Sequence, residues 1–168
     1  MPKIIENLPQ KLMEEARRQI RQEGYSAMTI RSVAKGCGVS VGTVYNYYPS
    51  KDALVAAFIL ADWQEFTGGV NLLSKESTSV LPVLEGIHAG LIRFASAHGS
   101  VFQDATAAAV YAGSFNRYHG LLRSQLAAPL QKFCPDDFTA EFVAEAMLTW
   151  TAAGKSLEEI RSLVIKLM

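Results

Sequence analysis

The sequence is poor in cysteine, has no excess of charge of either sign and lacks long apolar runs, and each shortage removes a class of protein. Its two cysteines, Cys37 and Cys134, are too few for a disulfide framework and lack metal-ligand spacing. A reducing compartment, the cytoplasm, is therefore expected. No segment reaches the roughly 18 uninterrupted apolar residues of a membrane span. The first residues also lack a basic stretch followed by an apolar run, so neither membrane nor export is expected. His88, His98 and His119 have no i, i+3 or i+4 partners among themselves or with cysteine, which argues against a metal site. Paired carboxylates, a nucleophile–base set and a phosphate loop are missing at recognisable spacing, so neither an enzyme nor a cofactor is expected.

Sixteen basic residues balance sixteen acidic ones, which at first argues against a nucleic-acid partner. The balance is uneven. Residues 1–52 hold eight basic and five acidic side chains, giving +3 there and −3 over the remainder. A split of this size lies within ordinary scatter, so any partner must be identified from motifs.

What the sequence does have is helical periodicity throughout, with no run alternating at period two. A chain of 168 residues can bury enough surface to fold without a staple. Asn7 and Pro9 open a first helix whose Leu12, Met13, Ala16 and Ile20 share one face, and Gly24 ends it. Thr29 can cap a second, in which Ile30, Val33, Ala34 and Cys37 follow i, i+3, i+4, i+7 and leave Arg31, Ser32 and Lys35 outside. Gly38 turns the chain. Ser40 caps a short third helix ending at Tyr48–Pro49, and Ser50 caps a fourth that is apolar on two sides. Gly68–Gly69 are expected to stop it, ahead of a Ser/Thr-rich loop over residues 74–79. Further helices are expected over about 80–98, 101–112, 115–133, 138–153 and 157–167, nine in all. Pro129 should kink or end the third of these, and Ser156 with Glu159 forms a capping box for the last.

Two short helices joined by a Gly-containing turn, with a third before them, form a helix-turn-helix unit. Such a unit lays its second helix in the major groove of DNA, so that helix needs two unlike sides. Residues 41–48 have them: Val44, Tyr48 and Val41 group together, while Gly42 and Asn46 lie on another arc. A glycine inside an exposed helix costs about 1 kcal/mol against alanine. Close approach to base edges is a reason for its presence.

The residues Thr29, Val33-Ala34, Gly38-Val39-Ser40, Gly42-Thr43-Val44-Tyr45, Tyr47-Tyr48 and Ser50-Lys51-Asp52-Ala53-Leu54, with Gly24-Tyr25 upstream, resemble the signature of tetracycline-repressor (TetR) type bacterial regulators. Met28, Ile20 and Cys37 depart from the usual hydroxyl residue, phenylalanine and alanine, and each keeps an apolar, packable side chain. The resemblance implies an all-α fold with a DNA-binding head over residues 1–52 and an effector-binding and dimerisation body over 53–168. It implies a homodimeric repressor that binds a palindromic double-stranded operator and is released by a small-molecule effector: ligand in the body, DNA let go by the head. Carried over by position, Thr29, Tyr45, Tyr47 and Lys51 would hold phosphates. Arg31, Ser40, Val41, Gly42, Thr43 and Asn46 would face the groove, Val41 toward a thymine methyl and Arg31 toward a guanine or a phosphate.

In the body, Trp63, Phe66, Phe94, Phe102, Tyr111, Phe115 and Tyr118 are candidates for lining an effector cavity, and their character favours a mostly apolar effector. Phe142, Met147 and Trp150, with Leu157, Ile160, Val164 and Leu167 in the next helix, give apolar surface wider than one stripe. One side can pack on the body and the other on a second copy. The alternative is a DNA-binding dimer without a small-molecule effector, governed by a protein partner or by its concentration.

Overall fold

The computed structural model describes residues 6–168, with side chains for 6–109 and 119–168. Among the described residues the chain is all helical, with eight α-helices, one 3₁₀ segment and no strand. Helix α1 (Leu8–Glu23) buries Leu8, Leu12, Ala16, Gln19 and Ile20. Asn7 precedes it in the left-handed conformation (φ 56°) and makes no side-chain cap, so the expected Asn7 cap is replaced by a backbone turn into Leu8 and Pro9. Gly24, at φ 89°, closes the helix by donating its N–H to the Ile20 carbonyl.

Helix α2 (Ile30–Cys37) starts on a reciprocal cap, in which the Thr29 hydroxyl accepts from Ser32 N–H and the Ser32 hydroxyl accepts from Thr29 N–H. Gly38, at φ 67°, ends it with its N–H on the Ala34 and Lys35 carbonyls. Helix α3 (Val41–Tyr45) is capped by Ser40 and is shorter than the expected run to Tyr48, since residues 46–47 continue as a turn. Cys37 donates its thiol to the Lys11 carbonyl at 3.6 Å, and burial pushes its pKa up. That is the behaviour of a packed thiol rather than a reactive one.

Helix α4 (Lys51–Glu76) runs straight through Gly68 and Gly69, where a stop was expected. Trp63, Thr67, Val70 and Ser74 form a buried stripe at helical spacing on both sides of the two glycines, and Ser74 donates to the Pro129 carbonyl at 2.6 Å. Packing of that stripe outweighs the glycine penalty of about 1 kcal/mol each. Helices α5 (Leu81–Phe102) and α6 (Ala105–Ala127) follow. Helix α6 takes in residues 113–114, where two separate helices were expected, and ends ahead of Pro129 in a 3₁₀ segment, Ala128–Phe133. Helix α7 (Asp137–Ala152) is capped by Asp136, and α8 (Leu157–Val164) by the Ser156–Glu159 box. In that box Glu159 is held at a pKa of about 2, chiefly by the Ser156 N–H. No helix among the described residues is long and apolar enough to cross a membrane.

The chain forms two compact units: Met1–Asp62 with His98–Ala112, and Trp63–Ala97 with Gly113–Met168. The first therefore takes in residues 53–62 and 98–112 besides the 1–52 head. Its core joins Leu12, Ala16, Met28, Val33, Val44, Leu54 and Phe58 to Val101 and Ala107. The second packs Val83, Leu84, Ile87, Leu126, Leu130, Val143, Met147, Ile160 and Val164.

Within the first unit a polar cluster ties α1 to α4 and α5. Arg17 donates to one Asp62 oxygen at 2.6 Å, and His98 approaches the other at 3.1 Å. The Arg17 guanidinium also covers the Phe58 ring, on whose plane the buried His98 imidazole stacks. Arg17 is thus held against Asp62 and Phe58 rather than left in solvent. Burial lowers the His98 pKa, more than the Asp62 carboxylate raises it. The unfolded chain then binds more protons than the folded one in the pH range below the ordinary histidine value, so stability present at neutral pH is lost on acidification. The slope is at most about 1.4 kcal/mol per pH unit for one proton. Thermal melts between pH 7.5 and 5.5 should show a larger loss for the natural chain than for His98→Gln; equal losses would exclude His98 as the group responsible.

Candidate nucleic-acid interface

Helices α2 and α3 are set by local chemistry at both ends and by one shared core. Val44 is 0% exposed and packs in the same core as Ile30, Val33 and Ala34. Tyr48 is half-buried beside that core and donates its hydroxyl to the Pro9 carbonyl at 3.3 Å, which fixes the end of the turn on α1. Burial raises the Tyr48 pKa, so the hydroxyl stays protonated as a donor. Val41 is half-buried at the margin. The other side of the segment is open. Gly42 and Asn46 are exposed, as are Tyr45 at 51% and Tyr47 at 48%.

At Gly42 a methyl group would meet nothing nearer than the Ser40 oxygen at 3.8 Å, so its lack of a side chain is not required by packing within the chain. Ser40 and Thr43 are exposed and half-buried respectively, and their hydroxyls lie 2.8 Å apart, with Ser40 also accepting the Thr43 N–H. Both are engaged in the cap. Thr29 is likewise exposed and engaged with Ser32.

Lys51 is half-buried, with its ammonium on the Tyr25 carbonyl at 2.5 Å and above the Tyr25 ring at 4.0 Å. The Tyr25 hydroxyl in turn donates to Asp52. Burial lowers the Lys51 pKa. The residue therefore braces the turn before α2, with further ammonium protons left for a phosphate. Arg31 is exposed on the first turn of α2, and Lys35, one helical turn further on, shares its exposed face. Lys35 was not among the candidates from sequence, although its i, i+4 relation to Arg31 could have shown it.

The body candidates separate into groups. Trp63, Phe66 and Phe94 come together in the second unit, with the Trp63 ring 5.3 Å from Phe66 and 5.2 Å from Phe94, both edge-on. Trp63 Nε1 donates to Gln125 at 2.6 Å, and the Phe66 ring occupies the space over Gly90. Phe102 belongs to the first unit, is exposed, and lies 6.1 Å from the His98 ring. Tyr111, Phe115 and Tyr118 lie outside the described residues as far as their side chains are concerned.

Of the dimer candidates, Met147, Ile160 and Val164 are buried in the core of the second unit, and Leu157 is half-buried against it. Phe142, Trp150 and Leu167 are exposed, together with Leu163 and, most of all, Phe138 at 77%. Phe138 opens the helix expected over 138–153 and was not among the dimer candidates from sequence.

Residues 12–58 match the family model described as bacterial regulatory proteins, tetR family. Residues 12–58 are thus a tetR-type DNA-binding segment. The chain is 26% identical over 167 residues to the nucleoid occlusion factor SlmA of Actinobacillus pleuropneumoniae, covering 93% of this chain and 77% of that protein. The same fold occurs in the TetR family repressor AlkX of Dietzia, with a TM-score of 0.62, 16% identity, and coverage of 94% of this chain and 98% of that one. It also occurs in Thermus thermophilus FadR in complex with lauroyl-CoA, with a TM-score of 0.59, 21% identity, and coverage of 95% and 92%. Helices α2 and α3 lie inside the match over residues 12–58 and form its helix-turn-helix, and the match supports a transcriptional regulator.

Proposed function

We propose that this regulator is a cytoplasmic repressor that holds a palindromic operator as a homodimer and releases it when a small, mostly apolar effector binds the body. Residues 1–52 act as the DNA-binding head and 53–168 as the effector-binding and dimerisation body. The observation that carries the reading is α3 itself, braced from behind by the fully buried Val44 and open on its Gly42 side. Thr29, Tyr45, Tyr47 and Lys51 serve phosphates, and Ser40 to Thr43 with Asn46 and Arg31 face the groove, Arg31 toward a guanine or a phosphate. A two-fold dimer sets two such helices about 34 to 36 Å apart, one turn of DNA or a multiple of it.

The Trp63–Phe66–Phe94 cluster supports an apolar effector. An effector that prefers the DNA-incompetent arrangement 100-fold supplies about 2.7 kcal/mol, enough to empty an operator of moderate affinity. Fluorescence titration of the DNA flanking the gene, with and without lauroyl-CoA and other apolar compounds, tests this. Two protomers per site, affinity that falls steeply with salt, and release by at least one compound of the panel are expected.

A second reading has its own support. The similarity to SlmA extends over 93% of the chain and so includes the body, and that relative is named for nucleoid occlusion. On this reading the protein is a DNA-binding dimer without a small-molecule effector, controlled by a protein partner or by concentration. Operator binding that no compound releases, with no shift in melting temperature, favours it over the first.

A further inference from the structure

The inference concerns which base pairs α3 reads, and it rests on the DNA-binding reading above. From Ser40 to Tyr48 the chain contains no arginine, lysine, aspartate or glutamate. In the major groove, guanine is read by Arg or Lys at O6 and N7, and cytosine by a carboxylate accepting from N4. Adenine is read by Asn or Gln at N6 and N7, and thymine by apolar contact with its methyl group. Helix α3 and the turn after it thus carry no usual reader of a G·C pair.

They do carry readers of A·T. Asn46 is exposed at the end of α3, and its amide makes no side-chain hydrogen bond among the described residues, so both its donor and its acceptor are available. Val41 presents a half-exposed branched apolar side chain five residues earlier. Gly42 between them leaves room for close approach of the helix to the bases. The competing polar groups are already engaged, since the Ser40 and Thr43 hydroxyls are joined in the cap. Tyr45 and Tyr47 have exposed hydroxyls whose reach and polarity suit phosphate oxygens. The exposed cations, Arg31 and Lys35, stand on α2, the helix that crosses the backbone in this motif.

We propose that the base pairs read by α3 in each half-site are A·T, with Asn46 selecting adenine and Val41 contacting a neighbouring thymine methyl. The test is selection of bound duplexes from a random pool by the full chain, by Asn46→Ala and by Arg31→Ala, each first checked for unchanged helicity. The natural chain should enrich a two-fold symmetric site. Asn46→Ala should flatten one A·T position in each half-site, lowering affinity for the natural site by about tenfold and leaving a scrambled duplex unaffected. Arg31→Ala should keep that A·T preference. A G·C pair at the Asn46-dependent position, or a motif that Asn46→Ala leaves unaltered, overturns the proposal. Failure of the natural chain to enrich any sequence overturns the DNA-binding reading beneath it.

Discussion

Gly42→Asp is expected to leave the protein folded and to abolish operator binding. The position is exposed, and a Cβ there meets only the Ser40 oxygen at an ordinary 3.8 Å. An aspartate on the first turn of α3 is also compatible with the helix dipole, and aspartate is a better helix former than glycine. Stability should therefore change by less than about 1 kcal/mol. In the groove the same carboxylate faces phosphates and acceptor-rich base edges, where juxtaposed like charges cost several kcal/mol, on the order of 100-fold or more in affinity. Gly42→Ala separates the steric part from the charge: it should melt slightly higher and bind more weakly than the natural chain. Melting curves beside fluorescence titrations decide the matter. Undiminished binding by Gly42→Asp would show that this side of α3 does not approach DNA.

The second large effect is expected at α7. Phe142 and Trp150 are 52% and 51% exposed, whereas Met147 on the same helix is fully buried. Replacing Phe142 and Trp150 together by aspartate should spare the protomer core and dissociate the dimer. Loss of the second head removes the gain from bivalent attachment, on the order of 10² to 10⁴ in affinity. Met147→Ala should act differently, losing about 2–5 kcal/mol of protomer stability through the cavity it leaves. Sedimentation of the double variant tests the assignment. A dimer that persists with both residues charged would place the interface elsewhere.

Helices α2 and α3 were legible because their ends are written in short-range chemistry. Thr29 with Ser32, Gly38 and Ser40 each act within three or four residues, so the ends of α2 and the start of α3 could be located from spacing alone. Val44 could be assigned inward and Gly42 outward by periodicity. The length of α4 could not be read in this way, because Gly68 and Gly69 signal a stop locally. The contrary signal, the Trp63–Thr67–Val70–Ser74 stripe, acts through tertiary packing and the Ser74–Pro129 contact.

The same difference separates the site residues. Lys51 carries the charge of a phosphate ligand, and only the fold shows its ammonium turned onto Tyr25. The Arg17–Asp62–His98 cluster joins residues far apart in sequence, none of which signals the others. Met147, Ile160 and Val164 share apolar character with Phe142, Trp150 and Leu167, and composition alone could not tell which set faces the core.

The central claim is that the segment from Thr29 to Tyr48 is the surface that meets DNA. Backbone hydrogen exchange of the full chain, with and without its operator duplex, tests this most directly. Slowed exchange should concentrate in α2, the Gly38 turn and α3 when DNA is added. Protection confined to other helices, with α3 exchanging as fast as in the free protein, would contradict the account.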